Sequence, residues 1–215
     1  MCSTFPGKTA RTIFIGRTVD GTTSEERVLE DPADKEPYAV SPDGVTLAYT
    51  RASGARHDVW LLPLASDESP SRLLESARQP IFSPDGEWLA YESNESGRTE
   101  IYVIAFPNAD QRHKISTDGG TEPLWAPSGS ELFYRNINKM LAVEIENDTE
   151  EGFRPGRPRV LFEKELEFAG PGRNYDISLD GERFIMIQIP PSTGPGQLEI
   201  VFNWFEELKR LVPIQ

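Results

Sequence analysis

Apolar residues in this chain alternate inside short segments, and the segments recur. Leu47 and Tyr49, Leu89 and Tyr91, Leu132 and Tyr134, and Phe184 and Met186 each stand one residue apart. A two-residue step puts both members of a pair on one face of a β-strand. Each pair follows a tetrapeptide that starts at Ser41, Ser83, Ala126 or Ser178: Ser-Pro-Asp-Gly twice, then Ala-Pro-Ser-Gly and Ser-Leu-Asp-Gly. Proline presets φ for a turn, aspartate bonds the nearby backbone, and glycine supplies positive φ. A large apolar residue, Val40, Phe82, Trp125 or Ile177, precedes each turn. Each turn therefore predicts a hairpin with a one-residue bulge. A third strand is predicted at Asp58–Leu61 and Glu100–Val103, with looser copies at Met140–Val143 and Glu199–Phe202. A fourth follows at Arg72–Leu74, Lys114–Ser116 and Arg159–Phe162.

Four short antiparallel strands repeating with a period near ~40 residues are the blades of a β-propeller. The expected fold class is all-β, with about four and a half four-stranded blades spanning 12–203. The units are a partial blade at 12–30, with strands at 12–17 and 26–29, then blades at 36–75, 79–116, 122–162 and 174–203. Residues 1–11 are expected to be disordered. Residues 203–212 predict a short C-terminal helix, with Asn203 as N-cap, Glu206 completing a capping-box variant, and Trp204, Leu208 and Leu211 on one face. The acidic insertion Glu144 to Gly152, next to Pro155, Gly156 and Pro158, is expected to be irregular.

Pro-x-Phe-Ser-Pro-Asp-Gly, then Leu-Ala-Tyr, then an acidic residue with Ile-Tyr-Val resembles the WD40-like repeat of TolB-type propellers. The match is close over 36–75 and 79–116 and weaker over 122–162 and 174–203. Arg173 to Ser178, Arg183-Phe184 and Asn203 to Leu208 resemble the end of propellers fused to bacterial serine/threonine protein kinases. These resemblances imply a six-bladed ring of which this chain holds a part, the alternative being that strands 12–17 and 26–29 complete the last blade and close a small ring, and they imply a sensory or protein-interaction role. On that view strand 12–17 has an unpaired edge, and the chain is expected to self-associate. An extracytoplasmic placement is implied if the chain is the C-terminal part of a membrane-anchored kinase, and a cytoplasmic one otherwise.

Charge narrows the partners. The net charge of −13 excludes nucleic-acid binding through a broad basic face; it reads first as solubility and otherwise as a preference for cations or for a basic protein or peptide partner. The single cysteine, Cys2, allows neither an internal disulfide framework nor a cysteine metal site. No apolar run reaches the ~20 residues of a membrane span, and the N-terminal stretch lacks a signal-peptide core.

There is no Gly-x-Ser-x-Gly elbow, His-Glu-x-x-His, Cys-x-x-Cys or phosphate loop. The two histidines, His57 and His113, lie in polar stretches and read as solvated. Asp43, Asp85 and Asp180 read as turn formers. No catalytic residue, metal or cofactor is expected. One constellation points to binding. The residues that open the first strand of each blade, Glu36, Gln79, Glu122 and Arg173 with Asn174, are expected to ring the mouth of the central channel. The competing reading is that they only begin strands whose Pro37, Pro80 and Pro123 donate no hydrogen bond. The function that follows is a non-catalytic interaction or ligand-sensing propeller. The alternatives are the regulatory propeller of a prolyl-oligopeptidase-like peptidase, or a carbohydrate-binding propeller whose Trp60, Trp88, Trp125 and Trp204 would have to be exposed.

Overall fold

In the computed structural model, residues 12–16, 26–148, 152–165 and 172–187 are described, and all their regular structure is β-strand. A two-stranded ribbon comes first, β1 (Thr12–Gly16) against β2 (Glu26–Asp31). The first four-stranded sheet is β3 (Lys35–Val40), β4 (Thr46–Ser53), β5 (Arg56–Pro63) and β6 (Ser71–Leu74), in sequence order. The second repeats it with β7 (Ala77–Phe82), β8 (Trp88–Ser93), β9 (Glu100–Ala105) and β10 (Arg112–Lys114). The third has β11 (Thr121–Trp125), β12 (Glu131–Asn136) and β13 (Lys139–Asp148), with β14 (Gly152–Pro155) and β15 (Arg159–Glu163) both on β13. A hairpin of β16 (Tyr175–Ile177) and β17 (Phe184–Met186) follows. The third strand foreseen for the last unit and the helix at 203–212 lie outside the described residues, as does the segment 1–11.

Period-2 alternation explains how the sheets stack. On β8, Leu89 and Tyr91 face a cluster with Ala48 and Val59 of the first sheet, while Trp88 and Ala90 face one with Leu132, Tyr134 and Val143 of the third. On β9 the same split separates Tyr102 and Ile104 from Ile101 and Val103. A third cluster joins Leu124, Phe133 and Met140 to Tyr175. The core is therefore a series of apolar layers, one between each pair of successive sheets from the β3–β6 sheet to the β16–β17 hairpin. Packing is tight: a Cβ on Gly120 would come within 2.8 Å of Ile101 and 2.9 Å of Tyr134.

The turns form as the tetrapeptides require. The N–H of Gly44, Gly86, Gly129 and Gly181 donates to the carbonyl of Ser41, Ser83, Ala126 and Ser178, at 2.8–2.9 Å. Each glycine has φ near +75°, open to glycine at little cost. The Ser41 and Ser83 hydroxyls each donate to the turn aspartate at 2.5 Å, and the Ser178 hydroxyl donates to Asp180. Those aspartates also accept from Val45, Glu87 and Glu182 N–H. The Ser41 hydroxyl bond and the Val45 N–H hold the Asp43 carboxyl below its usual range. The turns also lie close to one another: a Cβ added at Gly86, Gly129 or Gly181 would come within 3.4, 3.7 or 3.9 Å of the ring of Pro42, Pro84 or Pro127 in the preceding turn.

The acidic insertion differs from expectation. It is a hairpin in which β13 runs on to Asp148 and β14 pairs back on it. The reason is Phe153, 4% exposed, whose ring packs on Trp88 at 4.3 Å and so anchors the insertion to the second sheet.

Candidate functional site

The turns after β3, β7, β11 and β16 stack at one end, so the starts of those strands lie together at the other. Here the sequence places its ring of Glu36, Gln79, Glu122, Arg173 and Asn174.

Glu122 is fully buried, at 0% exposure. Arg135 Nη1 donates to its carboxylate at 3.1 and 3.4 Å, and Asn174 donates through its backbone N–H at 3.0 Å and Nδ2 at 3.2 Å. The Glu122 N–H donates to Glu92 Oε1 at 2.7 Å, and the Tyr175 hydroxyl donates to the Glu122 carbonyl at 2.7 Å. Glu92, also buried, accepts from Arg78 Nε at 2.8 Å. Burial pushes the Glu92 carboxyl up, against the pull of those bonds. One polar network thus runs from the second sheet through the third to β16. Glu122 and Asn174 are brought together in it. Arg173 stands beside it, its Nε donating to the Tyr175 carbonyl at 2.9 Å.

Glu36 is half-buried and accepts from the Tyr38 hydroxyl at 2.8 Å. Burial, reinforced by that bond, pushes the Tyr38 phenol well above its usual range. Gln79 is 9% exposed and, like Glu122, has a left-handed backbone, with φ of +53° and +58°. Sheet pairing refines the equivalence that sequence repetition suggests. Glu36 pairs with Thr50, Arg78 with Glu92 and Thr121 with Arg135. Gln79 and Glu122 lie one residue closer to the turn, in the bulges where the register shifts. By pairing, Glu36 therefore matches Arg78 and Thr121.

Sequence reasoning missed Arg78, Glu92 and Arg135. The available signal was the residue after the second-strand tyrosine, which reads Thr50, Glu92 and Arg135 in successive units and lies on the inner half of the sheet.

The acids that open the third strands have a separate task. Glu100 accepts from Ser116 Oγ, Gly119 N–H at 3.0 Å and Arg98 Nε at 2.7 Å, with Lys114 Nζ at 3.0 Å. Burial raises its pKa, but these donors prevail and hold it at about 2. Asp58 accepts from the Ser76 N–H at 3.0 Å and faces Arg72 at 3.6 Å. Each acid fastens the loop that leads into the next blade.

The histidines separate. His57 is exposed. His113, read from sequence as solvated, instead sits against Phe153 at 4.8 Å and Trp88 at 5.9 Å, and burial lowers its pKa. The insertion hairpin causes this by folding Phe153 over it. Among the described residues no group of three or more His, Cys, Asp or Glu could hold a metal ion, and no helix is long and apolar enough to cross a membrane.

Four-stranded antiparallel blades, packed in series with their first strands together, define a β-propeller fold. No family model matches the chain. Over 95 residues, 41% of the chain, it is 32% identical to the Tol-Pal system protein TolB of Hydrogenovibrio crunogenus, of which it spans 21%. The fold is similar to the crystal structure of TolB from Acinetobacter baumannii, with a TM-score of 0.60 at 19% identity over 84% of this chain and 44% of that one. It is also similar to a Mycobacterium tuberculosis puromycin-hydrolyzing peptidase, with a TM-score of 0.55 at 20% identity over 80% of this chain and 34% of that one. The chain spans less than half the length of each of these relatives.

Proposed function

We propose that this chain is a non-catalytic interaction module that engages a protein or peptide partner at the end where the first strands begin. The observation that supports this is the polar network Arg78–Glu92–Glu122–Arg135–Asn174, which fixes the inner ends of successive blades as one preorganised surface. On this reading Glu122 and Asn174 form the floor, and Glu36, Gln79 and Arg173 are the groups a partner meets. With a chain charge of −13, the partner segment carries basic residues. A sensory role in the C-terminal part of a bacterial kinase would use the same end.

Calorimetric titration with a tetra-lysine peptide tests the reading. Glu36→Gln should weaken binding severalfold, and raising salt should weaken it further. Equal affinity in the two proteins overturns the basic-partner proposal. The chain should also leave peptide, ester and glycoside model substrates unhydrolysed. Turnover that survives repurification and is lost with one substitution in this chain would contradict the non-catalytic reading.

A second reading, the regulatory propeller of a peptidase, is favoured by the likeness to the puromycin-hydrolyzing enzyme. A hydrolase domain in the same reading frame would decide for it. Carbohydrate binding is not favoured, because Trp88 and Trp125 are buried and Trp60 is half-buried beneath the Arg51 guanidinium. Trp204 lies outside the described residues.

A further inference from the structure

Beside the inner ring, a cleft of about 250 Å³ opens between the first two sheets. Its walls are Arg56 and His57 at the start of β5, Ser76 and Arg78 in the link between sheets, and Glu92 and Asn94 at the end of β8. Two arginines line this one cavity on a chain whose net charge is −13. Both keep donors available. Arg78 gives Nε to Glu92, and a guanidinium has five N–H groups. Arg56 stands 3.8 Å from Glu75, beyond hydrogen-bond reach. Glu92 is completely buried, and its salt bridge holds Arg78 in place at the cleft wall. The left-handed Ser76, whose N–H is bonded to Asp58, fixes the link from the other side.

We infer that this cleft binds a carboxylate-bearing ligand, gripped by Arg56 and Arg78. A planar carboxylate matches the fork of a guanidinium and takes two parallel hydrogen bonds from it. The Glu92 carboxylate at the same wall repels a doubly charged phosphate head more than a singly charged carboxylate head, which in succinate is two methylenes away from the second charge. His57, Ser76 and Asn94 supply the remaining polar contacts, and the small volume suits a short acid or one acidic side chain. The cleft shares Arg78 and Glu92 with the network behind the inner-ring proposal, whereas Arg56 lies outside that network, so Arg56→Gln tests the cleft separately.

Titration of the whole chain with succinate, a tetra-glutamate peptide, succinamide and inorganic phosphate tests it. Saturable binding of succinate supports the site with a free acid as its ligand; binding of the peptide alone supports it with an acidic segment of a partner. In either case succinamide should not bind. Arg56→Gln, at an exposed position, should weaken the carboxylate probe about tenfold without changing Tm. Arg78→Lys, which keeps a cation beside Glu92, should also weaken it because the fork is lost. The inference is overturned if neither carboxylate probe binds, if phosphate binds more tightly than both, or if binding is unchanged in both variants.

Discussion

Glu122 shows what a single side chain does here and why its role was only half visible. Its position before Pro123 and its repetition with Gln79 were legible in the sequence. Its left-handed backbone, and the fact that its oxygens meet Arg135 and Asn174, were not, because both depend on a bulge and on residues 13 and 52 positions away. Glu122→Gln should remove the carboxylate charge that the buried Arg135 guanidinium pairs with and cost roughly 3 kcal/mol. Glu36→Gln, at a half-buried carboxylate, should cost well under half of that. Denaturant unfolding of the two variants checks the contrast. Glu100 governs acid stability. Its carboxyl is lowered from 4.5 to about 2 in the fold, so its contribution is full above pH 4.5 and is lost as pH falls toward 2. Glu92, shifted upward, acts with the opposite sign: its charged form costs stability at neutral pH, and protonation relieves that cost. Glu100→Gln should therefore flatten the fall of Tm between pH 4.5 and 2, as thermal melts across that range would show.

Among the elements, the hairpins were the most legible and the insertion the least. Turn chemistry at Ser41 and Ser83 is local, so four residues suffice to specify it. The path of β13 and β14 is settled instead by Phe153 reaching Trp88 and His113 in another sheet, a contact that no local pattern encodes. Phe153→Ala should cost about 3–5 kcal/mol, the scale for truncating a buried phenylalanine. It should also return His113 to water and raise its pKa toward 6.5, since burial is what lowers it. Titration of the His113 ring protons by NMR in the two proteins measures this directly.

At the scale of the molecule, apolar layers among the described residues join successive sheets, so stability propagates along the series as in other repeat proteins. The Tyr175 hydroxyl bonded to the Glu122 carbonyl is one link in that series. Tyr175→Phe leaves the buried carbonyl without that donor, at a cost of about 1–2 kcal/mol. Amides of β16 and β17 should then exchange faster, while those of β4 and β5 keep their protection. Uniform acceleration across all sheets would instead mean that the molecule opens as a single unit.

The stacked turns bear on how such a chain could be recombined. Pro42, Pro84 and Pro127 each lie under the glycine of the following turn. The aspartate, by contrast, accepts hydrogen bonds within its own turn, and the third turn replaces it with Ser128, whose hydroxyl accepts from Ser130 N–H in its place. At the fourth turn Leu179 occupies the proline position at 94% exposure, and among the described residues no glycine rests on it. The exchangeable module is therefore offset from the sheet: it runs from one turn's proline to the next turn's glycine. A graft cut at sheet boundaries would separate partners that belong together, whereas one cut inside the strands would carry each proline along with the glycine it supports.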